Sequence, residues 1–275
     1  MSAWAGPADF PPEGPMLPDG RMLAVLHGEL EPYPWRTPSE AADAYGLFYD
    51  RSEALGWLTS GDDCSPQGSW WMNDAGQPED PSAWLPQIAW FQVEVTHPLH
   101  PERPLPTQAF LNCIDDVMAR MGTLNLKAVQ LLLPLPKLGD PARHSSGRAL
   151  GVLRQAAAWL ADSPPSRSAR VWVTLDSGQD PAIITAAPHM RERIQELRQH
   201  AFLMSSAAGI EEDAPVLEPA VLDSAWPGPS KHRAAFHGSL AEWSLDAVGW
   251  LAGFLSEVAA EHDVYTPLLF TAIKA

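Results

Sequence analysis

The chain has 275 residues, 45% hydrophobic and 19% charged, enough to bury a substantial core as one large domain or two small ones. Its 34 acidic and 18 basic side chains give a net charge of −16. There is no Lys/Arg cluster to neutralise phosphates, so neither nucleic acid nor an anionic membrane surface is an expected partner. The apolar runs are too short to span a membrane.

The first twenty residues hold five prolines and no signal-peptide pattern. With only two cysteines, Cys64 and Cys113, no disulfide framework forms, and the expectation is a cytoplasmic protein. Met22–Leu26 reads as a short strand. Thr37-Pro38-Ser39-Glu40 is a capping box with proline at the first helical position, and it predicts a helix running toward Trp57. A loop at 61–68 and a short strand near Trp70–Met72 follow. Residues 1–87 therefore form an acidic, Trp/Pro-rich region expected to pack on the rest. Residues 1–100 carry 15 acidic and 3 basic side chains, and seven of the 12 tryptophans lie in the first ninety residues.

Residues 88–275 read as an α+β core. Phe91, Val93 and Val95 alternate with Gln92, Glu94 and Thr96, as on a half-buried strand. A helix from about Thr107 places Phe110, Ile114, Val117 and Met121 on one stripe. Val129–Leu133 is apolar on both faces, which suits a central strand. Next come a helix over 149–161, a strand over 170–176, a helix over 188–200 and a short strand at 202–204. Residues 208–230, acidic and Pro-rich, read as a long surface loop. A second strand–helix–strand unit closes the chain: Ala234–Leu240, a helix capped by Ser244, and Leu268–Ile273. Two such units predict a mixed sheet with ferredoxin-like (split βαβ) elements and helices on one face.

Period-two alternation then sends Gln92, Glu94, Trp172, Thr174, Asp176, His237, Ser239 and Thr271 to the other face. Roofed by the Trp-rich third, that face would form a small-molecule pocket. Glu94, Asp176 and His237 are the candidate acid–base groups, with Gln92, Trp172, Thr174 and Ser239 contacting substrate. His97, His100 and Glu102 match neither helical nor strand spacing for a metal, so no metal is expected. No P-loop, GxGxxG or GxSxG occurs, so no cofactor is expected either. Cys113, in an apolar helical setting, is disfavoured as a nucleophile. Lys231-His232-Arg233 is a small basic island that suits an anionic group. The first functional expectation is thus a small-molecule-binding protein or cofactor-independent enzyme. The alternative is a non-catalytic interaction protein, homodimeric or with a basic partner.

Overall fold

The computed structural model describes residues 20–36, 43–59, 68–76, 85–96, 99–100, 102–139, 147–205, 215–223 and 226–275. Among them run β1 (Arg21–Pro32), α1 (Ala44–Ala54), β2 (Trp70–Gly76), β3 (Gln87–Val95), α2 (Thr107–Met121) and β4 (Gly122–Leu133). Then follow α3 (Arg148–Ala161), β5 (Ala169–Asp176), α4 (Ala182–Glu196), β6 (Phe202–Met204), β7 (Arg233–Leu240), α5 (Leu245–Glu261) and β8 (Leu268–Lys274). All eight strands join one open sheet in the order β2-β3-β1-β4-β8-β5-β7-β6. Every neighbouring pair is antiparallel, so the expected mixed sheet is corrected to an antiparallel one. The strands joined by α2, β3 and β4, do not touch, because β1 lies between them.

The same element order occurs twice, as β1-α1-β2-β3-α2-β4 and as β5-α4-β6-β7-α5-β8, with α3 in the connection. In each half the first strand lies between the third and fourth, and the second stands at the sheet edge. The two strand–helix–strand stretches visible in the sequence are the closing parts of these halves. The boundary expected at residue 87 falls inside the first half, where β2 pairs with β3.

Local chemistry sets the elements. α5 begins at Ser244, whose hydroxyl accepts from the Ala247 amide at 3.1 Å, with Asp246 in the first turn facing the positive end of the helix dipole. α1 begins at Asp43, whose carboxylate caps the Gly46 amide at 2.7 Å. The capping box read at 37–40 lies outside the described residues. α4 starts at Ala182, earlier than the Pro188 start read from sequence. Pro188 sits inside it without an N–H for the Ile184 carbonyl, and Ile184 lies on the exposed side, where water can serve that carbonyl. β1 bulges at Leu26–Gly28. Gly28 has φ +145, and a Cβ there would stand 2.2 Å from the Asn125 carbonyl oxygen, so the bulge requires glycine.

Alternate strand residues, among them Met22, Phe91, Val93, Leu131, Val173, Phe236 and Phe270, bury against the helices in one continuous core. Phe48 of α1 lies at its aromatic centre, 5.3 Å from Phe91, 5.7 Å from Phe110 and 6.3 Å from Trp70 between ring centroids. Trp57 packs at a tilt against Trp70 on this same helical side, with ring centroids 5.5 Å apart. Trp4 and Trp84 lie outside the described residues.

The halves join where β4 pairs with β8, from Ala128↔Ile273 to Leu133↔Leu268. Above that seam α2 meets α5. Thr107 donates to the Gly249 carbonyl at 2.8 Å, and Asp246 accepts from Gln108 and Asn112 at 2.7 and 2.8 Å. Trp243 Nε1 donates to the Leu126 carbonyl at 2.9 Å. The close helix approach depends on Gly249, where a Cβ would stand 2.7 Å from the Gln108 Cα and 2.8 Å from the Thr107 carbonyl oxygen. Gly249→Ala should therefore cost about 1–3 kcal/mol through overpacking, against the propensity gain of alanine in a helix. Gly151→Ala on the outer face of α3 meets nothing within 4 Å and should be neutral or slightly stabilising. Thermal melts of the two variants check this pair of opposite outcomes.

Candidate functional site

The second face of the sheet is polar at its flanks and apolar at its centre. Val25, Ala128, Leu132, Leu269 and Ile273 occupy the middle, all buried. What covers Ala128, Leu132, Leu269 and Ile273 is the connection between β6 and β7. Its described part, residues 215–223 and 226–232, runs across the face as a strap without regular secondary structure. Leu217 packs with Leu85, Ala128, Ile273 and Trp172. Val221 and Trp226 cover Leu23, Leu132 and Leu269. The stretch read as a surface loop is thus the cover of the sheet, in the place expected for the Trp-rich third, which contributes Leu85.

Gln130 of β4 holds the strap. Its buried amide donates to the Glu218 carbonyl at 3.1 Å and accepts from the Ala220 amide at 3.0 Å. A side-chain amide thereby stands in for a neighbouring strand and pairs both groups of an irregular backbone. The far end is pinned at the turn after β5: Gln179 N donates to the Pro227 carbonyl at 2.7 Å, and His232 N to the Gly178 carbonyl at 3.0 Å. Asp176, buried at the end of β5, completes the anchor. Its carboxylate accepts from Gly178 N and Arg233 Nε, each at 2.8 Å, and from Ser230 Oγ.

The predicted site residues share this face without forming one site. Glu94 is exposed on β3, four strand positions from β5 and five from β7. At about 4.8 Å per strand it stands roughly 19 Å from Asp176's strand and 24 Å from His237's. Gln92, opposite Leu23, shares that remote position. Asp176 faces Arg233, whereas His237 faces Trp172 four residues along, roughly 14 Å away at about 3.4 Å per residue. The expected acid–base trio is therefore corrected: alternation assigned the face rightly, but strand order separates the members. Trp172 and His237 do meet, with ring centroids 4.6 Å apart. Ser239 lies opposite Arg170 at the far end of β7.

Thr174 and Asp176 instead line a cleft of about 130 Å³ between the strap and strands β8, β5 and β7. Arg233, Thr271 and Leu269 complete its floor, and Val216, Leu217 and the prolines at 215 and 219 form the strap wall. Gln130 escaped the site prediction, and Arg233 was read only as part of the basic island at 231–233, apart from the polar sheet face. The signal for Arg233 was present, since it continues the alternation of Ala235, His237 and Ser239. Gln130 gave one too, as the single polar residue in the apolar run Val129–Leu133.

Burial pushes the Cys113 thiol up to about 11, in keeping with an unreactive side chain. Glu102 pairs with Arg148, and His97 lies outside the described residues. Among the described residues no group of three or more His, Cys, Asp or Glu side chains is placed to hold a metal. No helix among them is long and apolar enough to cross a membrane. No protein-family model, curated protein or solved structure matches the chain.

Two predictions test the strap anchor. Gln130→Leu leaves the Glu218 carbonyl and Ala220 amide unpaired, and should cost about 1–3 kcal/mol and speed hydrogen exchange at Ala220. His27, beside Gln130 on β1, is buried and donates from Nδ1 to the Leu85 carbonyl at 3.3 Å. Burial lowers its pKa, with the Leu85 carbonyl and the Gln130 amide opposing in part. The unfolded chain then binds the proton more readily, so stability should fall as pH drops below about 6.5 toward the lowered folded value. Urea midpoints at pH 7.5 and 5.5 should differ less in His27→Leu than in the wild type.

Proposed function

We propose that the protein is a non-catalytic interaction protein whose first half binds a basic protein partner. The observation carrying this reading is a pair of exposed aromatic stacks on a half of the chain that also exposes several carboxylates. Tyr33 stacks on Trp35 with centroids 5.4 Å apart, and Trp35 is 69% exposed. Tyr45 stacks on Tyr49 at 6.5 Å, both more than a third exposed. Glu29, Glu31, Asp43, Asp50 and Glu53 are exposed on the same half. Pre-stacked Tyr and Trp rings offer large contact area at little entropic cost, which is why such residues anchor interfaces. Their faces also attract Lys and Arg, and the surrounding carboxylates steer a basic surface toward them.

The architecture supporting this surface reads as two ferredoxin-like (split βαβ) units fused side by side, in keeping with the repeated strand order. A reducing, cytoplasmic setting accords with the free, buried thiol of Cys113.

The test is quantitative capture from native extract by the wild type and by a Trp35→Ser, Tyr49→Ser variant. A basic protein should be retained by the wild type, lost by about tenfold or more in the variant, and released by salt. An identical bound set for both would refute the reading. Self-association in light scattering, abolished by the same substitutions, would replace it with a homodimer.

A further inference from the structure

The polar side chains lining the cleft beneath the strap offer free hydrogen-bond donors, while its carboxylate is already engaged. Arg233 spends its Nε–H on Asp176 and on Ser230 Oγ, at 2.8 and 2.6 Å. The remaining N–H groups of its fork have no partner among the described residues. Thr271 Oγ1 accepts from Gln130 at 3.4 Å, which leaves its O–H to donate. Thr174 likewise lines the cleft with its hydroxyl unengaged among the described residues. Asp176 is the carboxylate of the cleft, and both its oxygens already accept hydrogen bonds. The other walls, Leu269, Val216 and Leu217 among them, are apolar.

We propose that this cleft binds a small carboxylate carrying a short apolar group. The carboxylate takes the forked N–H groups of Arg233, the geometry that guanidinium matches best, and the hydroxyls of Thr174 and Thr271. The apolar group lies against Leu269 and the strap. Size limits the ligand: about 130 Å³ is close to the roughly 150 Å³ cavity that admits benzene. Asp176 neutralises much of the Arg233 charge, and the net charge of −16 opposes any anion. Beyond about 8–10 Å that repulsion is screened at physiological salt, so the directed hydrogen bonds decide, with affinity on the order of millimolar. Since the ligand touches both sheet and strap, its binding also fixes the strap. The site stands apart from the aromatic stacks, and neither proposal depends on the other.

The experiment titrates isobutyrate into the full chain at constant ionic strength, with isobutyramide as the neutral control of equal shape. Backbone amide resonances report the contact. Isobutyrate should bind saturably, shifting Thr174, Val216, Leu217 and Arg233, and isobutyramide should bind about tenfold or more weakly. Thr174→Val removes one donor without touching the Asp176–Arg233 pair, and should weaken isobutyrate about fivefold. Val216→Trp fills the cleft from an exposed strap position and should abolish binding. Equal affinity for acid and amide, shifts that never saturate, shifts centred away from the strap, or undiminished binding by either variant overturns the proposal.

Discussion

The pairing of β4 with β8 is the constraint on which the rest of the structure depends. It places the closing strands of two equivalent units side by side in the middle of one sheet. A strand in that position is far from any edge, and its side chains cannot reach water at either face unless the face is left bare. One face is covered by α2 and α5, whose close approach at Gly249 is itself part of the seam. The other carries Ala128, Leu132, Leu269 and Ile273 at its centre, an apolar surface that must be hidden. The strap is the physical answer to that requirement.

A cover made of irregular chain raises its own difficulty, because buried backbone groups must be paired. A few anchors from the strands and the turn after β5 meet the need. Gln130 pairs one carbonyl and one amide of the strap, and the turn at Gly178 takes the next backbone groups. Asp176 fixes that turn, Arg233 and Ser230 at once. A buried carboxylate in a polar environment resembles a catalytic group when only its sequence context is known. Here its hydrogen bonds go to the chain itself, and its work is to hold the strap's end against the sheet.

The sequence disclosed faces well and neighbours poorly. Val129–Leu133, apolar on both sides, announced a central strand, and the alternation of Thr174 and Asp176 assigned their face correctly. Alternation carries no information about strand order, however, so Glu94 and His237 looked like companions although several strands divide them. The strap was illegible for a different reason. Coil packing has no period, and a segment bearing Glu218, Asp223 and several prolines has the composition of a solvated loop. Its apolar contacts, Leu217, Val221 and Trp226, fall at irregular spacing that only the sheet beneath makes meaningful. The repeat was half visible: β3-α2-β4 and β7-α5-β8 matched in order and length, but their opening strands differ too much in sequence to be paired by eye.

Within that repeat, the strap occupies the position between the second and third strands of its unit, and Leu85–Pro86 occupy the corresponding position in the first. Leu85 of the one and Leu217 of the other meet over the same apolar centre, in one cluster. Pro86 also accepts from the Gly28 amide at the β1 bulge, at 2.9 Å. The bulge and the strap thus solve one problem from two sides. The ends of such a connection are set by the sheet, while its middle is constrained only to bury a few side chains and satisfy a few backbone groups. Change in the middle therefore leaves the scaffold intact, as is usual for connections carried on a rigid sheet.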